Sequence, residues 1–325
     1  MVSDIALLAL SFVASFFTTF FLTPIVSREL VRVGIVGRDM QKKNRPVLAE
    51  MGGLSVVAGI VLGISVAIAL AKNAYPLEIL FGALASILVV SIVGIVDDLF
   101  QLPQLAKAFL PVLGALPLMA LREGARTVSL PLFGAVDFGL LYPLLLIPLG
   151  ITGAANATNI LAGLNGLEAG LGAVMHGTVF LVSLLVFSSQ PESLYSALIS
   201  GIVFFSLLAF LKFNIFPAKT FPGDIGTLVI GGSLAVSVII GNLERVGVIL
   251  IFPYFIELFL KARTKFKGTS FGLLQRDGTL SAPKGFPQSL THVVMKAGRL
   301  TELQVVLIIL LVEAFFGALA ILSVL

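Results

Sequence analysis

What most restricts the fold of this chain is the recurrence of apolar runs about as long as a bilayer is thick. A crossing helix needs ~20 predominantly apolar residues. Ten segments approach or reach that length, at roughly 4–26, 50–71, 77–96, 107–121, 139–156, 167–188, 193–211, 225–241, 246–262 and 301–324. With 58% of its 325 residues hydrophobic and 12% charged, the chain carries more apolar surface than a water-soluble core can hide. The expected fold class is therefore an all-α integral membrane protein. It has about ten transmembrane helices in a single polytopic domain covering 1–325. The first run is too long, and too uncharged at its start, for a cleavable signal, so it is expected to remain as a helix. Cysteine is absent, which excludes disulfides and thiolate metal sites.

Charge sets the expected orientation. If the first loop is cytoplasmic and loops alternate, 17 of the 21 Lys and Arg residues fall on the cytoplasmic side. The remaining four, Lys72, Arg122, Arg126 and Arg245, fall outside. Positive residues favour the cytoplasm, so both termini are expected to be extracytoplasmic. Tyr75, Tyr142 and Tyr195 then lie near outer helix ends, as interfacial tyrosines do. The net charge of +4 is weak ground for a nucleic-acid partner.

The other polar groups gather on the same side. "VGIVDDLFQLPQLAK" ends the third run with Asp97 and Asp98 and sets Lys107 nine residues beyond. "NATNILAGLNGLEAG" (156–170) follows the fifth, with Asn156, Asn159 and Asn165. "FNIFPAKTFPGDIG" (213–226) follows the seventh, with Asn214, Phe221 and Asp224. "GRDMQKKNRPVLAEMGG" (37–53) contains Glu50, and a long polar loop spans 263–300. A transporter holds substrate near the bilayer midplane on interrupted helices. Here the helix centres are plain, except for Glu257 and Glu313. A polar shelf at one membrane face instead suits a reaction between a water-soluble substrate and a lipid, with the active site on the cytoplasmic face.

Aspartates with neutral amide oxygens make a hard, oxygen-rich donor set suited to magnesium or manganese. Two histidines on separate segments, His176 and His292, do not make a zinc site. Lys107, Lys219 and the basic loop can neutralise phosphate charge. Phosphoryl transfer requires positioning and charge stabilisation, often with a bridging metal, and this inventory fits it. Each feature alone has an ordinary structural reading. An Asp pair ends helices, Asn156 and Asn159 suit a turn or cap, and Asp224 opens a helix as an N-cap. Their coincidence on one side is what points to a site.

At these residues the chain resembles the polyprenyl-phosphate N-acetylhexosamine-1-phosphate transferases, closest to the dolichyl-phosphate branch of eukaryotic and archaeal type. "NATNILAGLNGLEAG" and "FNIFPAKTFPGD" are similar to that family's motifs, in the same order along nearly the whole chain. The resemblance implies that Asp224 and Asn159 bind magnesium. It puts Asp97 and Asp98 near the metal and the lipid phosphate, and Lys107 at the pyrophosphate. It further implies that Asn156, Asn165, Asn214, Phe221 and Glu50 surround the nucleotide-sugar, with Asn165 toward the uracil and Phe221 in the nucleoside pocket. A basic loop before the last helix reads the sugar and pyrophosphate in the family; the eukaryotic Arg-His-Arg element of that loop is missing here, and Arg263, Lys265 and Lys267 are the candidates to replace it. The bacterial muramoyl branch has an Asp-Gly-x-Asp-Gly run where this chain has Ala162-Gly163-Leu164-Asn165-Gly166, and a histidine cluster missing from "KARTKFKGTSFGLLQRDGTL".

The expected function is transfer of N-acetylglucosamine 1-phosphate from UDP-N-acetylglucosamine to a polyprenyl or dolichyl phosphate in the membrane. The expected partners are the UDP-sugar, the lipid phosphate and the membrane, without nucleic acid, and a homodimer is compatible with the chain. The alternatives are the same reaction with another UDP-N-acetylhexosamine, or a polytopic transporter or lipid flippase working through Glu257 and Glu313.

Overall fold

The protein is described from a computed structural model over residues 2–71, 76–121, 124, 127–130 and 134–325. Tyr75, Lys72, Arg122 and Arg126 lie outside the described residues. In hydrocarbon every backbone N–H and C=O must be satisfied within its own segment, and the apolar runs accordingly become helices. Among the described residues, nine helical stretches are long and apolar enough to cross a membrane.

The chain begins with α1 (Val2–Val33) and a hairpin of β1 (Val36–Arg38) and β2 (Val47–Ala49), followed by α2 (Gly53–Leu70) and α3 (Leu77–Phe100). Gln104–Leu121 is one helical stretch of α4 (Gln104–Phe109), a 3₁₀ segment (Leu110–Ala115) and α5 (Leu116–Leu121). The expected extended excursion over 122–138 contains an antiparallel pair, β3 (Thr127–Leu130) and β4 (Gly134–Asp137). A π-helical turn (Tyr142–Leu146) leads into α6 (Ile147–Ile160). Three long helices follow: α7 (Leu167–Val186), α8 (Ser193–Asn214) and α9 (Gly223–Ile240). The run expected as one crossing at 246–262 is two helices, α10 (Glu244–Leu250) and α11 (Phe252–Arg263). Pro253 has no N–H to donate to the carbonyl four residues back, which breaks the ladder there. The loop beyond folds as strands β5 (Leu273–Leu274) and β6 (Thr279–Ser281), the short helix α12 (Leu290–Met295) and strand β7 (Leu300–Thr301). The strands form one antiparallel sheet in the order β5-β6-β7. The last crossing, α13 (Glu302–Leu322), opens with a capping box from Thr301 and Gln304.

The middle of the bundle is α9, buried along almost its whole length. Glycines let its neighbours approach to backbone distance, as small residues do in membrane helix packing. A methyl group built on Gly231 would lie 2.0 Å from the Ala154 carbonyl oxygen of α6. One on Gly94 of α3 would lie 2.4 Å from Ile225 Cα, and one on Gly53 of α2 would lie 2.5 Å from Gly226 Cα. Buried hydroxyls join α1 to α2, where Thr23 and Ser55 lie 2.8 Å apart and Thr19 donates to the Ser55 carbonyl at 3.3 Å. Lipid-facing positions carry large apolar side chains, including Phe17 and Phe21 on α1, Leu185 on α7 and Phe315 on α13. The result brings the N-termini of α2, α9 and α13 and the C-termini of α3, α6 and α8 to one end of the bundle.

Candidate active site

The site is organised by the N-terminus of α9. Gly223 has φ +71, and a methyl group there would lie 2.8 Å from Asp98 Oδ2 and 2.9 Å from the Met51 backbone. Only glycine allows that turn and those approaches together. Asp98 Oδ1 accepts the Asp224 N–H at 2.7 Å and its Oδ2 accepts the Ile225 N–H at 2.9 Å. A carboxylate at a helix N-terminus satisfies donors that have no partner within the helix and matches the positive end of its dipole. The α2 N-terminus docks on the same turn: Gly52 and Gly53 donate to the Phe221 and Pro222 carbonyls at 2.8 and 2.9 Å.

Asp224 then projects into a group drawn from three other segments. Asn159, in the last turn of α6, donates its Nδ2 to Asp224 Oδ1 at 2.7 Å and to Thr227 Oγ1 at 2.9 Å. Both amide hydrogens are thereby used, which leaves Asn159 Oδ1 available as a ligand atom. Lys107 Nζ lies 2.7 Å from Asp97 Oδ1 and 3.3 Å from Asp224 Oδ2. Asp97 Oδ1 also accepts the Leu102 N–H at 3.0 Å. Asp97, Asn159, Asp224 and Lys107 thus converge within hydrogen-bonding range.

Among the described residues no three of His, Cys, Asp and Glu converge as a ready metal cage. Magnesium does not need one, because it is commonly held by one or two carboxylates together with substrate phosphates and water. Asp97 and Asp224 already accommodate a cationic group between them, the Lys107 ammonium. With Asn159 Oδ1 beside them, the donor set fits a hard divalent cation.

A second cluster adjoins the first. Phe221 donates its N–H to the Ala49 carbonyl at 2.8 Å, and Ala49 forms an isolated parallel bridge with Thr220. This brings the β1–β2 hairpin beside the α8–α9 loop. A methyl group on Gly37 would lie 3.2 Å from Glu50 Oε2 and 3.4 Å from the Phe221 ring, so a carboxylate, a bare backbone and an aromatic ring meet there. Burial, and then the charge of Asp224, push the Glu50 carboxyl above its usual range.

The remaining expected residues sit differently. Asn156 donates to the Ala108 carbonyl at 3.1 Å and the Thr152 carbonyl at 2.9 Å, tying α6 to α4. Asn214 is buried and closes the loop 214–220 by donating to the Thr220 carbonyl at 3.0 Å. Asn165 is buried, and its Oδ1 accepts the Ala218 N–H at 3.0 Å. Arg263, the last residue of α11, and Lys265 and Lys267 just beyond it are exposed, with the Arg263 guanidinium 3.6 Å from the Phe286 ring centroid. No contact joins them to the Asp224 group among the described residues. Their loop instead reaches the site through Phe271, whose ring would lie 2.8 Å from a methyl group on Gly163.

Two acidic residues in the site were not singled out from sequence. Asp39 Oδ2 accepts the Asn165 Nδ2 at 3.1 Å, and Glu302 Oε1 accepts the Asn165 N–H at 2.7 Å. Asp39 lies in the polar stretch 37–53, and Glu302 reads locally as an ordinary first-turn acid of α13. His292 is buried, with its Nε2 2.9 Å from the Phe271 carbonyl, so it braces the loop. Burial and the nearby Lys261 and Lys296 hold it below the ordinary imidazole range. Of the two glutamates expected at helix centres, Glu257 lies in α11, outside the stretches long and apolar enough to cross a membrane among the described residues, and accepts the Ser289 hydroxyl at 3.0 Å and the Leu290 N–H at 2.6 Å at the start of α12. Neither Glu313 oxygen has a hydrogen-bond partner among the described residues.

The family model described as glycosyl transferase family 4 matches residues 80–242, the stretch holding Asp97, Asp98, Lys107, Asn159, Asn165, Asn214, Phe221 and Asp224. The chain is 36% identical to a protein of Saccharolobus solfataricus over 94% of each chain. It is 37% identical to one of Sulfolobus acidocaldarius over 96% of this chain and 94% of that one. Both relatives are named, provisionally, as UDP-N-acetylglucosamine–dolichyl-phosphate N-acetylglucosaminephosphotransferases. A Saccharomyces cerevisiae protein with the same name, given without the proviso, is 29% identical over 78% of this chain and 66% of its own. On the match of half its length to the family model, and on these relatives spanning nearly all of it, the chain belongs to glycosyl transferase family 4.

Proposed function

We propose that the protein transfers N-acetylglucosamine 1-phosphate from UDP-N-acetylglucosamine to a polyprenyl phosphate of the dolichyl type, releasing UMP and leaving lipid-diphosphate-N-acetylglucosamine in the membrane. The carrying observation is the meeting of Asp97, Lys107, Asn159 and Asp224 at one end of a bundle of apolar helices. The names of the archaeal and yeast relatives support the same reaction.

An oxygen of the lipid phosphate attacks the β-phosphorus of the nucleotide-sugar. The bond from that phosphorus to the bridging oxygen breaks, and UMP leaves with the electron pair. Little general-base help is required, since a phosphate monoester loses its second proton near pH ~6. Lys107 donates to the pyrophosphate, exchanging one of its two carboxylate partners for a phosphate oxygen. Asp97 orients Lys107 and the lipid phosphate. Asp98, with both oxygens on backbone N–H groups, keeps Asp224 at its station. Asp224 and Asn159 would hold magnesium, which would neutralise charge on the pyrophosphate and on the departing UMP. Glu50, Gly37 and Phe221 form the nucleoside pocket, and Arg263, Lys265 and Lys267 supply exposed positive charge that attracts the anionic substrates. The positive-inside distribution supports a cytoplasmic site with both termini on the other side.

The test is transfer of labelled N-acetylglucosamine phosphate from UDP-N-acetylglucosamine to polyprenyl phosphate by the purified protein with magnesium, run beside UDP-N-acetylgalactosamine. Asp224→Ala is expected to lower turnover by about 10²- to 10³-fold, the scale of losing one preorganised charge-stabilising group. Wild-type turnover in that variant would end the metal assignment.

A further inference from the structure

The segments that carry the proposed site are bound together by side chains to which that reaction gives no role. Lys42 Nζ lies 3.2 Å from Asp39 Oδ2, is bonded to Glu302 Oε2, and sits 4.3 Å from the Phe216 ring centroid. Asp39 and Glu302 are each 3% exposed. Two acids and one base therefore form a buried bridge between the β1–β2 turn and the first turn of α13. Both acids bond Asn165, one through its side-chain amide and one through its backbone N–H. The Asn165 side-chain oxygen Oδ1 continues the chain of bonds by accepting the Ala218 N–H in the α8–α9 loop.

These contacts close a ring. The hairpin that leads into Glu50 and the loop that carries Phe221 already touch at Ala49. Their second tie runs from Asp39 through Asn165 to Ala218. Without it, the approach of Lys42 to the Phe216 ring would be what ties the turn of the hairpin to that loop, away from Ala49. A buried ion cluster is a poor source of net stability, and its better attested use is to select one arrangement over others.

We infer that Asp39, Lys42 and Glu302 are positioning residues for the nucleotide-sugar. Acting through Asn165, they hold the hairpin against the α8–α9 loop and set the gap between Glu50 and Phe221 into which the nucleobase fits. This rests on the reading of that gap as the nucleoside pocket. None of the three touches the reacting atoms, so their effect falls on nucleotide affinity and not on the chemical step.

The experiment uses the full chain in detergent, with initial rates at varied UDP-N-acetylglucosamine and at varied polyprenyl phosphate. Asp39→Asn and Glu302→Gln each remove one charge and leave Lys42 paired with the other acid, so the ammonium is not stranded. Each is expected to raise KM for the UDP-sugar about tenfold, with kcat within about twofold and KM for the lipid unchanged, the pattern of lost uniform binding. Lys42→Met is expected to do the same or more, and Lys42→Arg, which keeps the charge, to return KM to within about threefold of wild type. Where Lys42→Met does not fold, the two acid variants decide. Variants that lose active protein and Tm together while keeping the wild-type KM would reduce the cluster to a structural brace and overturn the proposal. A wild-type protein that neither transfers the sugar phosphate nor binds UMP by calorimetry would overturn the nucleotide reading and this inference with it. An active wild type with unshifted variants would overturn this inference alone.

Discussion

Asp97 and Asp98 are neighbours in sequence with different duties, and geometry separates them where the letters cannot. Asp98 has its two oxygens on the N–H groups of Asp224 and Ile225, whereas Asp97 engages the Lys107 ammonium. Glu50 shows a third situation, a carboxyl with burial and the charge of Asp224 both opposing its ionisation. An acid whose proton is held more tightly in the folded chain stabilises the fold below its ordinary value of 4.5 and gives up that contribution as pH climbs through the raised one. Glutamine keeps the shape without the charge. Glu50→Gln is therefore expected to match wild type near pH 4.5 and to gain on it toward neutrality, where it shows the higher Tm. Its KM for the UDP-sugar should rise at the same time, a stability gained at the expense of the site. Thermal unfolding of both proteins across this pH range is the measurement, and parallel curves at every pH would dismiss the burial argument.

At the scale of elements, length and apolarity made the crossings legible, and proline decided where the reading was too simple. Pro253 divides the expected run 246–262 into α10 and α11, and Pro111 and Pro117 accompany the 3₁₀ interruption of Gln104–Leu121. These breaks follow from the missing N–H and are visible in the letters once hydropathy is not read alone. The central place of α9 was less visible, since its apolar count matches that of helices facing lipid. Its glycines were the signal, because a crossing that packs backbone to backbone needs them on several sides. Gly231→Ala would force a methyl group to 2.0 Å from the Ala154 carbonyl. Over-packing at a backbone contact of this kind costs about 1–3 kcal/mol or more, and a marked loss of folded protein is expected by size-exclusion yield and Tm. Gly153→Ala on α6 is the matched control, where the added methyl group meets nothing within 4 Å. Removing a helix-interior glycine there should be neutral or should stabilise by about 0.5–1 kcal/mol. Equal behaviour of the two variants would show that close approach does not place α9.

Across the whole molecule, the segregation of polar residues to alternate loops was enough to anticipate that Asp98, Asn159 and Asp224 share one end of the bundle, and they do. What sequence order could not reveal was the set of contacts that cross it, such as Lys42 to Glu302 over 260 positions, because nothing local marks either residue as the other's partner. The side of the membrane proposed for the shared end rests on charge bias alone, and the chain offers a clean way to test it, having no cysteine of its own. Ser188 is exposed beyond the end of α7 remote from the site, and Lys284 is exposed in the loop before α12. A membrane-impermeant maleimide applied to intact cells is expected to label Ser188→Cys and to leave Lys284→Cys untouched, with the preference reversed in inverted vesicles. Both variants retain the site residues, so sugar-phosphate transfer reports that each is folded. The opposite labelling pattern would turn the molecule over, moving the UDP-sugar reaction to the outer face and removing the charge argument for its orientation.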